Sequence, residues 1–166
     1  MNIFLKSFLK IYCILNLFNV DAISAASGQS IYSLDSYFRS NWVEIKNPTI
    51  VQNYMVGIID YLGKGRIRLY DLKRKKIIPM PKLYSMNLNP ISVSVSLGAT
   101  KIALINSQEG NNQILVFYRK RGFLRRVNIN SDLIPVKVII SASGEFLAVE
   151  VQKDDLRQLN ILQLKD

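Results

Sequence analysis

The sequence predicts an all-β fold, a partial β-propeller of about three four-stranded antiparallel blades. Three observations predict it. A strand–turn–strand pattern opens three times, at Pro48, Pro90 and Pro135, with separations of 42 and 45 residues. Apolar residues alternate with small or polar ones inside each unit, and no helical period runs between the units. The apolar fraction is 49% and the charged fraction 20%, the balance of a chain that buries a core rather than of a disordered one. Short strands with a period in the forties are what propeller blades produce.

The clearest unit spans residues 89–105. Asn89-Pro90 leads into Ile91-Ser92-Val93-Ser94-Val95-Ser96, where Ile91, Val93 and Val95 mark one apolar face and the serines a polar one, the pattern of a half-buried strand. A turn through Gly98 follows, then a returning strand over residues 101–105. The third unit repeats this with Ile134-Pro135, residues 136–141, Gly144 in the turn and residues 146–151. In the first unit, residues 55–59 are the second strand.

Third strands are expected at residues 66–70, 113–118 and 158–162, which sets Ile67, Ile114 and Leu159 in register. Fourth strands follow charged turns, at Ile77-Ile78-Pro79 and at residues 123–127; the third unit reaches Asp166 without one. The blades are residues 47–88, 89–133 and 134–166. Each proline is placed at the start of a strand, because it cannot donate to a ladder.

Residues 1–26 read as a signal peptide. Lys6 and Lys10 form a basic start, residues 11–20 an apolar run, and Ser24-Ala25-Ala26 a small-residue exit for cleavage after Ala26; an uncleaved anchor is the alternative. Cys13, the one cysteine, lies in this segment and is preceded by Ile11-Tyr12 rather than by the small residues of a lipid-attachment site. The exported domain would then hold together without a disulfide. Residues 27–46 are a connector containing an extra strand or a short helix near residues 34–39.

Ser96-Leu97-Gly98-Ala99-Thr100-Lys101-Ile102-Ala103-Leu104 and Ser141-Ala142-Ser143-Gly144-Glu145-Phe146-Leu147-Ala148-Val149 resemble the Ser-Pro-Asp-Gly-Lys-x-Ile-Ala-Phe repeat of TolB-type β-propellers. Residues 114–118, and residues 66–71 ahead of Lys73, are similar to the strand that follows in that repeat. The resemblance covers residues 47–164 and implies a short, TolB-like periplasmic protein that binds other proteins. It departs from the family in its turns: Gly98 and Ser143 stand where the repeat has Asp, and Ala99 and Asn53 where it has Gly. Six blades and a separate N-terminal domain are usual in that family, whereas three units are present here.

The residue types needed for chemistry are sparse. Histidine is absent, so metal sets and ordinary nucleophile–base pairs lack their usual member. Asp154-Asp155 reads as a solvated turn, Gly63-Lys64-Gly65 as a hairpin turn rather than a phosphate loop. No catalytic, cofactor or metal residues are therefore assigned, and the protein is expected not to be an enzyme. A carbohydrate-binding or hydrolytic propeller is the alternative, and it requires Asp60, Asp71 and Glu150 to converge on a funnel.

The net charge is +10. Lys73, Arg74, Lys75 and Lys76 occupy a hairpin turn in the first unit, and Arg119, Lys120 and Arg121 the corresponding turn in the second, with Arg125 and Arg126 extending it. In a propeller both turns emerge on one rim. The expected function is a non-catalytic interaction module docking on an acidic protein partner of the cell envelope or on a membrane surface. A homodimer is a further possibility, since two three-bladed arcs make a six-bladed ring; nucleic acid is disfavoured by export.

Overall fold

The computed structural model describes residues 44–108 and 110–164. Residues 1–43, covering the expected signal segment and most of the connector, and Glu109, Lys165 and Asp166 lie outside the described residues. Eleven strands form three antiparallel sheets in chain order. The first holds β1 (Ile45–Val51), β2 (Tyr54–Tyr61), β3 (Lys64–Asp71) and β4 (Lys76–Ile78). The second holds β5 (Pro90–Val95), β6 (Lys101–Gln108), β7 (Asn111–Tyr118) and β8 (Phe123–Val127), and the third β9 (Ile134–Ile140), β10 (Phe146–Lys153) and β11 (Leu156–Gln163). A single helical turn, α1 (Pro81–Tyr84), interrupts the connection from β4 to β5. Each strand pairs with its neighbour in the chain, so every sheet is a meander. Four strands per blade is thus right for two sheets; the third has three among the described residues.

The prolines do more than open strands. Pro48 lies inside β1, between Lys46 and Thr49, where the pairing with β2 shifts register. The β5–β6 register shifts between Pro90 and Ser92, and the β9–β10 register shifts beside Pro135. Each falls on the inner strand of its sheet, where a missing N–H and a bulge can be accommodated at an open edge.

Registers confirm the repeat. Ile67 pairs with Ile58, Ile114 with Ile105, and Leu159 with Glu150. The central sheet is packed on both sides. Val93, Val95, Ile102, Leu104, Leu115 and Phe117 meet Val56, Ile58, Ile67 and Leu69 of the first sheet in one core. On its other face, Ala103, Ile105, Ile114, Val116 and Tyr118 meet Val138, Ile140, Leu147, Val149 and Val151 of the third. Alternation along β6 and β7 therefore sends successive apolar residues to two different cores.

This corrects the half-buried reading of β5. Ser92, Ser94 and Ser96 are buried, at 5%, 1% and 0% exposure, while Ile91 at the bulge is exposed. The serines face the third sheet: Ser92 Oγ accepts the Val138 N–H and Ser94 Oγ the Ile140 N–H, both at 3.1 Å. On the other side, Thr49 Oγ1 donates to the Val93 carbonyl and Asn47 Nδ2 to that of Ile91. Side chains thus stitch the three inner strands together where no ladder joins them.

Ser94→Ala removes the acceptor of a buried amide and should destabilise the protein by about 1–3 kcal/mol. A urea midpoint unchanged from wild type would show that the inter-sheet bond is dispensable.

Candidate functional site

The β3–β4 turn carries the first basic group. Asp71, buried at 5% exposure, accepts the Arg74 N–H at 2.9 Å, and the Arg74 guanidinium approaches its carboxylate to 3.7 Å. A buried carboxylate needs such partners; the Arg74 backbone meets that need while its side chain stays 71% exposed. Lys75 has a left-handed backbone at φ 52°, and Lys73, Lys75 and Lys76 are exposed.

The β7–β8 turn carries the second. It closes through the Gly122 N–H on the Tyr118 carbonyl at 2.7 Å, with Gly122 at φ 68°. Arg119 turns inward: Nε donates to the Ala99 carbonyl at 2.6 Å and Nη2 to that of Gly98 at 3.4 Å. Those carbonyls belong to the β5–β6 turn, in which Gly98 and Ala99 both have positive φ, 64° and 51°. Arg119 thus holds a turn whose Ala99 is strained where the TolB-type repeat has glycine. Lys120 and Arg121 are exposed.

The two turns end equivalent strands of adjacent stacked sheets, so they share one end of the arc. Lys82 on α1 joins them, its side chain lying directly against Gly122 of the β7–β8 turn. The sequence reading missed Lys82, which sits in a connection with no counterpart in the repeat. Arg125 and Arg126 lie on β8, the expected fourth strand, where they pair with Val116 and Leu115 on opposite faces of the sheet, beyond the turn tip. Lys101 at the same end donates to the Gly144 carbonyl at 3.0 Å and stands 5.0 Å from the Tyr118 ring centre, linking the second and third sheets. Tyr118 also stacks on Phe123, centroids 4.7 Å apart.

Acids gather at the opposite end. Asp60 caps the β2–β3 turn by accepting the Gly63 N–H, Asp154 and Asp155 form the β10–β11 turn, and Asp132 pairs with Lys153. Among the described acids, Asp71 and Glu145 belong to the turns of the basic end. Asp60 and Asp71 stand at opposite ends of the β2–β3 hairpin, and Glu150 lies on β10 bonded to Arg157 at 2.8 Å. The convergence needed for a funnel active site is not formed. No group of three metal-ligating side chains occurs among the described residues. A hollow of about 220 Å³ between β3 and the β4–β5 connection, lined by Lys64, Arg66, Tyr84 and Asn87, had no signature in the sequence.

No protein-family model and no curated protein matches the chain. Solved structures do. A prolyl endopeptidase is similar over 95% of this chain and 26% of its own length, at 12% identity and a TM-score of 0.50. An acylaminoacyl peptidase in complex with Z-Gly-Gly-Phe-chloromethyl ketone is similar over 69% of this chain and 19% of its own, at 14% identity and TM-score 0.46. The β-propeller domain of Myceliophteria thermophila Cps50 (Swd1) is similar over 84% and 57%, at 11% identity and TM-score 0.43. The three stacked meanders are part of a β-propeller. At these identities the likeness extends to the fold and no further.

The Lys153 ammonium bonded to Asp132 holds that exposed carboxyl below the usual carboxylate range, with a hydrogen bond from its own backbone adding to the effect. Its contribution to stability is present above the ordinary Asp pKa and is lost as pH falls through the lowered folded value. Titration followed by carboxyl NMR should place Asp132 below a model Asp in wild type and move it most of the way back toward the ordinary value in Lys153→Met, the backbone hydrogen bond remaining.

Proposed function

We propose that this protein is an exported, non-catalytic interaction module, akin to the TolB-type propellers its repeat resembles, that docks on an acidic protein partner of the cell envelope through the basic end of its arc. The observation that carries this reading is the segregation of charge: Lys73, Lys75, Lys76, Lys82, Lys120 and Arg121 crowd one end of two adjacent sheets while most described acids occupy the other. A rigid scaffold that fixes like charges side by side creates a field able to steer and orient an anionic surface. Hairpin tips set by paired strands present those charges at low entropic cost compared with a flexible tail.

Export is supported by the basic start, apolar run and Ser24-Ala25-Ala26 exit of residues 1–26. Among the described residues no helix is long and apolar enough to cross a membrane. The absence of convergence among Asp60, Asp71 and Glu150 favours the binding reading over the hydrolytic one.

Retention on immobilised polyglutamate at low salt tests the proposal. Reversing Lys73, Lys75 and Lys120 to Glu should weaken retention by roughly tenfold or more, whereas reversing Lys46, Lys64 and Arg66, an equal change in net charge at other places, should cost far less. Equal losses would reduce the effect to bulk charge and remove the site. Retention on phosphatidylglycerol vesicles without retention on polyglutamate would replace the protein partner with a membrane.

A further inference from the structure

The repeat allows the third sheet to be compared with the other two, position by position. The pairing partners are equivalent: Val56, Ala103 and Ala148 occupy one site, Ile67, Ile114 and Leu159 a second, Leu69, Val116 and Ile161 a third. In the first two sheets this face is a core. Ile67 and Leu69 are exposed by 3% and 0%, Ile114 and Val116 by 1% and 0%, because the next sheet covers them. In the third sheet the same positions are open: Leu159 is 67% and Ile161 63% exposed.

The openness is general to the face. Ile139 lies beside Ala148, which lies beside Ile161, an apolar row across all three strands. Ile134, Ile139 and Phe146, on the same side, are exposed by 51%, 50% and 42%. Together with Leu159 and Ile161 they leave on the order of 500 Å² of surface uncovered on one sheet face, at the upper end of what monomers tolerate. It is a face built to be stacked upon, with Leu and Ile where two sibling sheets have Ile, Val and Leu.

We propose that a second copy of this chain covers it, third sheet against third sheet about a two-fold axis. On the far face of the first sheet Met55, Ile59 and Tyr70 are exposed by only 5%, 6% and 7%, with Ile50 and Ile77 beside them at 49% and 44%, so that face offers a second copy less apolar surface than the third sheet does. Glu150 on the third sheet's open face is bonded to Arg157 at 2.8 Å and stands beside Lys137, so its charge is met within the chain and the apolar row is what drives pairing. Pairing two such faces removes about 1,000 Å² of largely apolar surface, the threshold for a specific interface. This association is independent of the basic end: it uses a sheet face rather than turns, and its driving force is burial rather than charge.

Light scattering on the full chain tests it. Wild type should weigh twice the 18.9 kDa of one chain. Leu159→Lys with Ile161→Lys, and separately Ile139→Lys, should weigh one chain, with far-UV circular dichroism unchanged because these side chains are half-exposed or more. Raising salt should tighten the pair by screening the repulsion between two chains of net charge +10, opposite to its effect on polyglutamate retention. A wild type of one chain mass at tens of micromolar overturns the proposal. So does a double mass that survives in both variants, since the contact would then lie elsewhere. Neither result bears on the basic end, and loss of polyglutamate retention would leave the dimer untouched.

Discussion

Three inner strands, β1, β5 and β9, each have one edge that no strand among the described residues covers, and the packing of the sheets depends on how those edges are satisfied. Buried amides without acceptors are costly. The chain solves this with side chains short enough to sit between adjacent sheets. Ser92 and Ser94 take the amides of Val138 and Ile140, and Thr49 gives its hydroxyl proton to the carbonyl of Val93. A larger side chain on that face of β5 would push the third sheet away, and an apolar one would strand the amides. Alternating serine is therefore as much a packing element as the valines beside it.

From that spacing the two cores follow. With inner strands held close, β6 and β7 of the central sheet bury both faces, so Ile102 and Leu104 serve one core while Ala103 and Ile105 serve the other. Turns at the basic end inherit their form from the same registers. Ser96 and Ser141 each accept the N–H five residues on, from Lys101 and Phe146, so the serine that opens the repeat closes its turn. Where the second turn lacks the Asp-Gly of the repeat it resembles, Arg119 supplies the missing restraint from the neighbouring strand. One nominally cationic residue is thereby spent on structure rather than on the surface.

Strand positions, the pairing of Ile67, Ile114 and Leu159 with equivalent partners, and the shared end of the two charged turns were legible, because period-2 alternation and a fixed repeat length are local properties of sequence. What escaped was relational. The serines of β5 looked like a wet face because alternation shows that two faces differ and says nothing of what lies against the polar one. Arg119 looked like Lys120, since charge is visible in sequence while a carbonyl within reach is not. Arg125 and Arg126 read as a strand extending the charged turn, and that strand sends them to opposite faces. Lys82 belonged to no repeat, so no comparison could bring it beside Gly122.

The third sheet shows how a repeat can mislead and inform at once. Leu159 shares its position with two core residues, and sequence alone sets all three in register; at Leu159 a core forms only when something covers the face. The exposed rows on β9, β10 and β11 and the basic turns point in different directions, one along the stacking axis of the sheets and the other along the strands. Opposite salt dependences follow from that geometry, burial of the apolar face being favoured as like charges are screened and docking of an anionic surface being weakened by the same ions. A single chain can accordingly use both surfaces together, since covering the open face of the third sheet leaves the turns of the first two in solvent.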